Sequence, residues 1–168
     1  MGVTIHFEGK LKTERDFQDV IEKGQEFARR LSSEIISLDN EKKLLRRVKD
    51  QKEWDYEGPV RGIQIQPHET SEPLFLEFDT DLYIQEYCKT QFAGITTHIE
   101  IIQFLREIEP HFEKLTVFDE GDFWDTNDIQ VLEQKFEDFF VAFDQARQEN
   151  PKLKGPFMVG DRIIDLME

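Results

Sequence analysis

A chain of 168 residues that is 38% hydrophobic and carries 15 Phe is expected to bury one aromatic-rich core, which argues against disorder; no apolar run approaches the roughly 20 residues of a membrane helix. Its 36 acidic against 21 basic residues give a net charge of −15, which repels nucleic-acid phosphates and anionic lipid and suits a basic protein partner. A single cysteine, Cys88, excludes an intramolecular disulfide and fits a reducing, cytoplasmic setting.

Residues 2–8 alternate, with Val3, Ile5 and Phe7 on one face, and read as a half-buried strand rather than a signal peptide. Gly2 does not make a myristoylation motif, because position 6 is His6 and not Ser or Thr. Gly9-Lys10 reads as a turn. Thr13, with Asp16 three residues on, opens a helix whose stripe is Phe17, Val20, Ile21, Phe27, Ala28 and Leu31, and Gly24 on that stripe allows a close approach. Residues 34–39 read as a second strand, expected parallel to the first across this helix.

Residues 40–59 differ in kind. Lys42, Lys43, Arg46, Arg47, Lys49 and Lys52 crowd eleven positions, and the segment reads as a basic loop or short helix. It is either a contact patch or, more plainly, an exposed stretch pairing with the chain's own acids. Trp54, Tyr56, Gly58 and Pro59 follow as a loop with aromatic anchors.

A meander comes next. Residues 60–66 place Ile63 and Ile65 inward, and residues 73–78 place Leu74, Leu76 and Phe78 inward. Residues 82–88 form a third strand, with either Ile84 or Tyr83 and Tyr87 facing the core. Short turns between them predict antiparallel pairing.

Thr97 to Glu100 matches a capping box at the start of a helix with Ile101, Phe104, Leu105 and Ile108 inward, ending before Pro110. Residues 115–118 read as a short strand and 119–125 as a loop around Gly121. Asp125 or Thr126 then caps a helix with Ile129, Leu132, Phe136, Phe139, Phe140 and Phe143 as its stripe, stopped by Pro151. The tail 152–168 offers two apolar runs around Gly160-Asp161, expected to pack on the domain as a hairpin. The sum is one α+β domain: a mostly antiparallel sheet of about five to seven strands with three helices packed on it.

The chain lacks phosphate-loop, dinucleotide, nucleophile-elbow, HExxH and CxxC motifs, so no cofactor is expected. One stretch concentrates chemistry. If strands 82–88 and 115–118 run parallel, loops 89–96 and 119–125 share one sheet edge, where α/β ligands tend to bind. Catalytic candidates there are Lys89, Gln91, His98, Asp119 and Glu120. Asp119, Glu120 and Asp122 are the candidates for a divalent metal, and Asp122, Trp124 and Asp125 for a partner contact. Each also has a structural reading, since acids before a helix are ordinary capping chemistry. His98 and His111 bracket one helix, about 20 Å apart along a straight axis, and do not share a metal. Cys88 reads as a small buried hydrophobe and the Phe-rich helix as core.

The functional expectation is a non-enzymatic acidic intracellular binding protein that shields a basic protein, with neither nucleic acid nor membrane as partner. The alternative is a small enzyme or divalent-metal-binding domain using the 119–125 carboxylates with Lys89 or His98. An enzyme should gather these residues around one concave pocket; a binding protein should not.

Overall fold

Strand β1 (Thr4–Leu11) is the strand on which the molecule is laid out. The computed structural model describes residues 2–49 and 52–168. β7 (Tyr83–Lys89) and β8 (Phe112–Asp119) flank β1 in the order β7-β1-β8, each antiparallel to it. β7 and β8 therefore run parallel to each other, joined by helix α2 (Ile95–Ile108). A second antiparallel sheet has the order β2-β5-β6, built from β2 (Ile35–Leu45), β5 (Tyr56–Ile65) and β6 (Leu74–Phe78). β6 and β7 join the two sheets, tied at one end by Asp79 N–H to Tyr83 O and at the other by Glu72 N–H to Lys89 O.

Helix α1 (Glu14–Arg30) packs on β1, β5 and α2, and α2 packs on α4 (Ile129–Glu149). Between helices and sheets lies one core, including Ile5, Phe7, Ile65, Leu76, Phe78, Ile84, Phe104 and Leu132. The α+β class and the largely antiparallel pairing follow the alternation and helical stripes of the sequence. Thr13 caps α1 by accepting from Asp16 N. Gly24 is a close approach: a Cβ there would lie 2.8 Å from Ile63 Cδ1 and 3.0 Å from Leu76 Cδ1.

Several expectations are corrected. Gly9-Lys10 is not a turn but belongs to the last three residues of β1; a Cβ on Gly9 would sit 2.6 Å from the Lys114 carbonyl oxygen, so glycine there lets β8 come close. β2 is not parallel to β1. Both edges of β1 are already occupied, and α1 delivers the chain to the other sheet. Segment 40–59 is not a helix: β2 runs on to Leu45, a two-residue ladder of β3 (Val48–Lys49) and β4 (Lys52–Glu53) follows, and β5 begins at Tyr56. Positions 50 and 51 of that segment lie outside the described residues.

Helix α2 starts at Ile95 behind Gly94, so Thr97 lies inside its first turn and no side chain caps it. The 119–125 loop contains a one-turn helix α3 (Phe123–Thr126), and the cap of α4 is Asp128, which accepts from Gln130 N. Phe140 and Ile129 are exposed rather than core, whereas Leu132, Phe136, Phe139 and Phe143 are buried. Phe92 from the loop before α2 packs edge-on against both Phe139 and Phe143. On β7 it is Ile84 and Cys88 that face inward. The tail forms the hairpin β9 (Phe157–Val159) and β10 (Arg162–Ile164), bound to β7 through Arg162 Nη1–H to Tyr87 O. No helix among the described residues is long and apolar enough to cross a membrane.

Candidate functional site

The parallel run of β7 and β8 does bring loops 89–96 and 119–125 to one sheet edge. They meet there across the start of β1, since Thr4 is opposite Lys89 and Ile5 opposite Asp119. The groups at that edge bind one another. Asp119 Oδ1 accepts from Gly121 N and lies 2.8 Å from His98 Nε2, while Oδ2 accepts from Phe123 N and Trp124 N. His98 Nδ1 lies 2.7 Å from Thr90 Oγ1, and that oxygen lies 2.8 Å from the Val3 carbonyl.

The Val3 carbonyl accepts from both the main-chain N–H and the hydroxyl of Thr90, and the hydroxyl oxygen links that carbonyl to the imidazole, whose other nitrogen meets the Asp119 carboxylate. Burial pushes the Asp119 carboxyl up, but the hydrogen bond and charge of His98, with the N–H groups of Trp124 and Gly121, outweigh it and hold the pKa below the ordinary value. The order hydroxyl, imidazole, carboxylate is that of a nucleophilic triad. Yet Thr90 and His98 are fully buried and Asp119 nearly so, and the hydroxyl is committed to a main-chain carbonyl.

The remaining candidates are also engaged by the chain. Gln91 accepts from Val3 N and donates to Asp165, and Lys89 donates to Ile163 O and Asp165. Glu120 accepts from Thr4 N and lies 3.8 Å from His6. Its carboxyl is held below the usual range, first by His6 and then, against the effect of burial, by Thr4. Asp122 pairs with Lys135, Trp124 lies against the Arg106 guanidinium, and Asp125 is solvent-exposed. Asp119, Glu120 and Asp122 do not converge as ligands. Among the described residues the three side chains that do are Asp16, Asp19 and His111, and there His111 already hydrogen-bonds Asp16.

The concave feature lies elsewhere. A cleft of about 870 Å³ opens between the outer face of the β7-β1-β8 sheet, the end of β2, and β10. Its wall carries a row across three strands: Tyr87, His6 and Phe118, in register and with adjacent rings 5.7 Å apart. Phe118 is 64% exposed and Tyr87 37%. Leu44 and Val48 add exposed apolar surface on the opposite side.

The cleft floor is charged. Lys43 pairs with Glu77 at 2.8 Å and Arg162 lies 3.2 Å from Glu86. Behind that lining, 3.7 Å from Arg162, is the fully buried Glu72, which accepts from Lys89 N and Ile163 N. Arg162 also covers the Tyr87 ring at 3.8 Å. Burial is the main force lifting the Glu86 carboxyl to about 7; Arg162 opposes it and Glu77 adds to it.

Sequence reading missed this cluster, although a signal for Glu86 exists: it alternates with Ile84 and Cys88, which are both buried. Comparison with family models, curated proteins and solved structures gives no match in any of the three. The chemistry of the site therefore rests on its geometry.

Proposed function

We propose that this is a non-enzymatic acidic intracellular binding protein whose partner is a basic protein, docked on the outer face of the β7-β1-β8 sheet. The observation that carries this reading is the Tyr87–His6–Phe118 row, an exposed aromatic strip beside a cleft, flanked by Glu8 and Glu120 on a chain of net charge −15. Exposed apolar strips mark interaction surfaces, and aromatic side chains dominate binding energy at interface centres. Net negative charge steers a basic partner inward and repels nucleic acid. The enzyme or metal alternative needs Lys89, His98, Asp119 and Glu120 free to act, and each is held by its own chain.

The test is capture from source cells with the full chain, at low and at raised salt. The expected result is a basic protein retained at low salt, released as salt rises, and lost with Phe118→Asp. Retention that ignores both salt and the substitution contradicts the proposal, as does the absence of any basic protein.

A further inference from the structure

The C-terminal tail shows how the outer sheet face holds a basic segment. β9 and β10 pair with each other and with no other described strand. Lys154 and Met167 exchange both main-chain hydrogen bonds, so residues 154–167 close on themselves as one flap. Little apolar surface attaches that flap to the domain. Phe157, Met158, Val159 and Ile164 are exposed; Ile163 is buried, and Leu166 is partly buried against the core.

The rest of the hold is polar, and most of it falls on two consecutive residues. The Arg162 guanidinium donates from Nη1 to Tyr87 O at 2.9 Å and from Nη2 to Glu86 at 3.2 Å, and it covers the Tyr87 ring at 3.8 Å. The Ile163 N–H donates to Glu72 at 3.0 Å, and Ile163 O accepts from the Lys89 ammonium at 2.8 Å. Asp165 then accepts from Lys89 and Gln91. The face thus grips an Arg-Ile pair by its guanidinium, one N–H and one carbonyl. A planar guanidinium can donate in two directions while lying flat on a ring, which an ammonium cannot.

This grip lies at the Tyr87 end of the Tyr87–His6–Phe118 strip, where a basic partner approaches. We infer that the basic partner is recognised through an arginine followed by an aliphatic residue, which displaces the flap and takes the places of Arg162 and Ile163. The flap is then a competitor carried in the same chain. Such a competitor lowers apparent affinity to the fraction of molecules in which it is open, so weakening it raises affinity. This deepens the docking reading above and rests on it for the partner's basic character.

The probes are acetyl-Ser-Arg-Ile-Ser-amide and two controls, with citrulline or lysine in place of the arginine. They are titrated into the full chain and into its Arg162→Gln variant. The arginine peptide should bind the variant about tenfold tighter than it binds the wild type, and about tenfold tighter than either control binds the variant. Lys114→Gln, at an exposed position of β8, makes the same change of charge and should leave the wild-type affinity as it is. Equal affinity for wild type and Arg162→Gln, equal binding of the three peptides, or no binding to the variant at about 10 mM overturns the inference. Amide exchange in the wild-type chain needs no variant. The arginine peptide should speed exchange of the Ile163 N–H and leave β1 unchanged, whereas unchanged or slower exchange at Ile163 contradicts displacement.

The docking reading fails separately. A captured basic protein that needs Phe118 but is held equally by wild type and Arg162→Gln leaves docking intact and removes the displacement. Arginine-peptide binding that displaces the flap, with no captured basic protein, does the reverse.

Discussion

Replacing Asp119 with alanine is expected to destabilise the fold by about 3–5 kcal/mol, the usual cost of breaking a buried charged pair from one side. The carboxylate holds four donors: the His98 ring and the N–H groups of Gly121, Phe123 and Trp124. Its loss leaves all four without this partner, three of them in buried surroundings, and it frees the turn that sets α3. Asp119→Asn keeps one acceptor oxygen, so it should cost less. The sign with pH follows from the depressed pKa. The stabilising contribution is fully present above the ordinary carboxylate value of 3.8 and is lost as pH falls through the lower folded value. The stability gap between wild type and Asp119→Ala should therefore narrow below about pH 4. Urea unfolding at pH 7 and pH 3 measures both effects. A loss under 1 kcal/mol at pH 7 would show that the relay is not holding the β8 end together.

Arg47→Ala should be comparably damaging, again by about 3–5 kcal/mol. The Arg47 guanidinium is 4% exposed and bonds Asp79 at 2.9 Å. The rings of Trp54, Tyr56 and Tyr83 surround it at 5.7, 5.1 and 4.9 Å. Among the described residues Nη2 has no hydrogen-bond partner, and the ring faces provide its compensating contact. Asp79 also accepts from Asp81 N and Tyr83 N, which shapes the β6–β7 turn. Truncating the arginine leaves that carboxylate unpaired and empties the cage. The double change Arg47→Met with Asp79→Asn should recover much of the loss, because a well-packed apolar replacement avoids the buried charge. If the double variant unfolds as readily as the single, the cost lies in the cage and not in the ion pair. Urea midpoints for the three proteins decide this.

How much of this was legible depends on whether the signal was local. The alternation of Val3, Ile5 and Phe7, and the α1 stripe with its Thr13 cap, are set by neighbours in sequence, and they appear as read. The end of β1 was misread because Gly9 has a reason to be glycine that only β8 reveals, the nearby Lys114 carbonyl. Arg47 looked like one of six solvated bases. Its cage takes Trp54 and Tyr56 from the same 40–59 segment, but Tyr83 of β7 and the Asp79 carboxylate that close it come from outside, and only they single out Arg47 among the six bases.

The candidate edge at loops 89–96 and 119–125 was located through the β7–α2–β8 topology. That the edge is closed by its own residues depends on the N-terminal strand and the C-terminal tail arriving there together. The cleft is not legible in the sequence because its walls come from β1, β2, β3, β6, β7, β8 and β10. Still, Glu77 inside the apolar run Leu74–Phe78, and Glu86 between Ile84 and Cys88, were acids in core-facing strands. An acid in such a strand is a signal that needs no structure, once the buried face is known.

Oxidative side-chain footprinting of the protein, free and in complex with the captured basic protein, tests the central claim most directly. Hydroxyl radicals label aromatic and aliphatic side chains in proportion to their exposure, and Phe118 and Tyr87 are exposed in the free chain. Docking on the sheet face predicts strong protection of His6, Tyr87 and Phe118 in the complex. Phe140, exposed on α4, should label as before. Protection of Phe140 and Val141 with Phe118 and Tyr87 labelling unchanged would place the partner on the helical side and contradict the account.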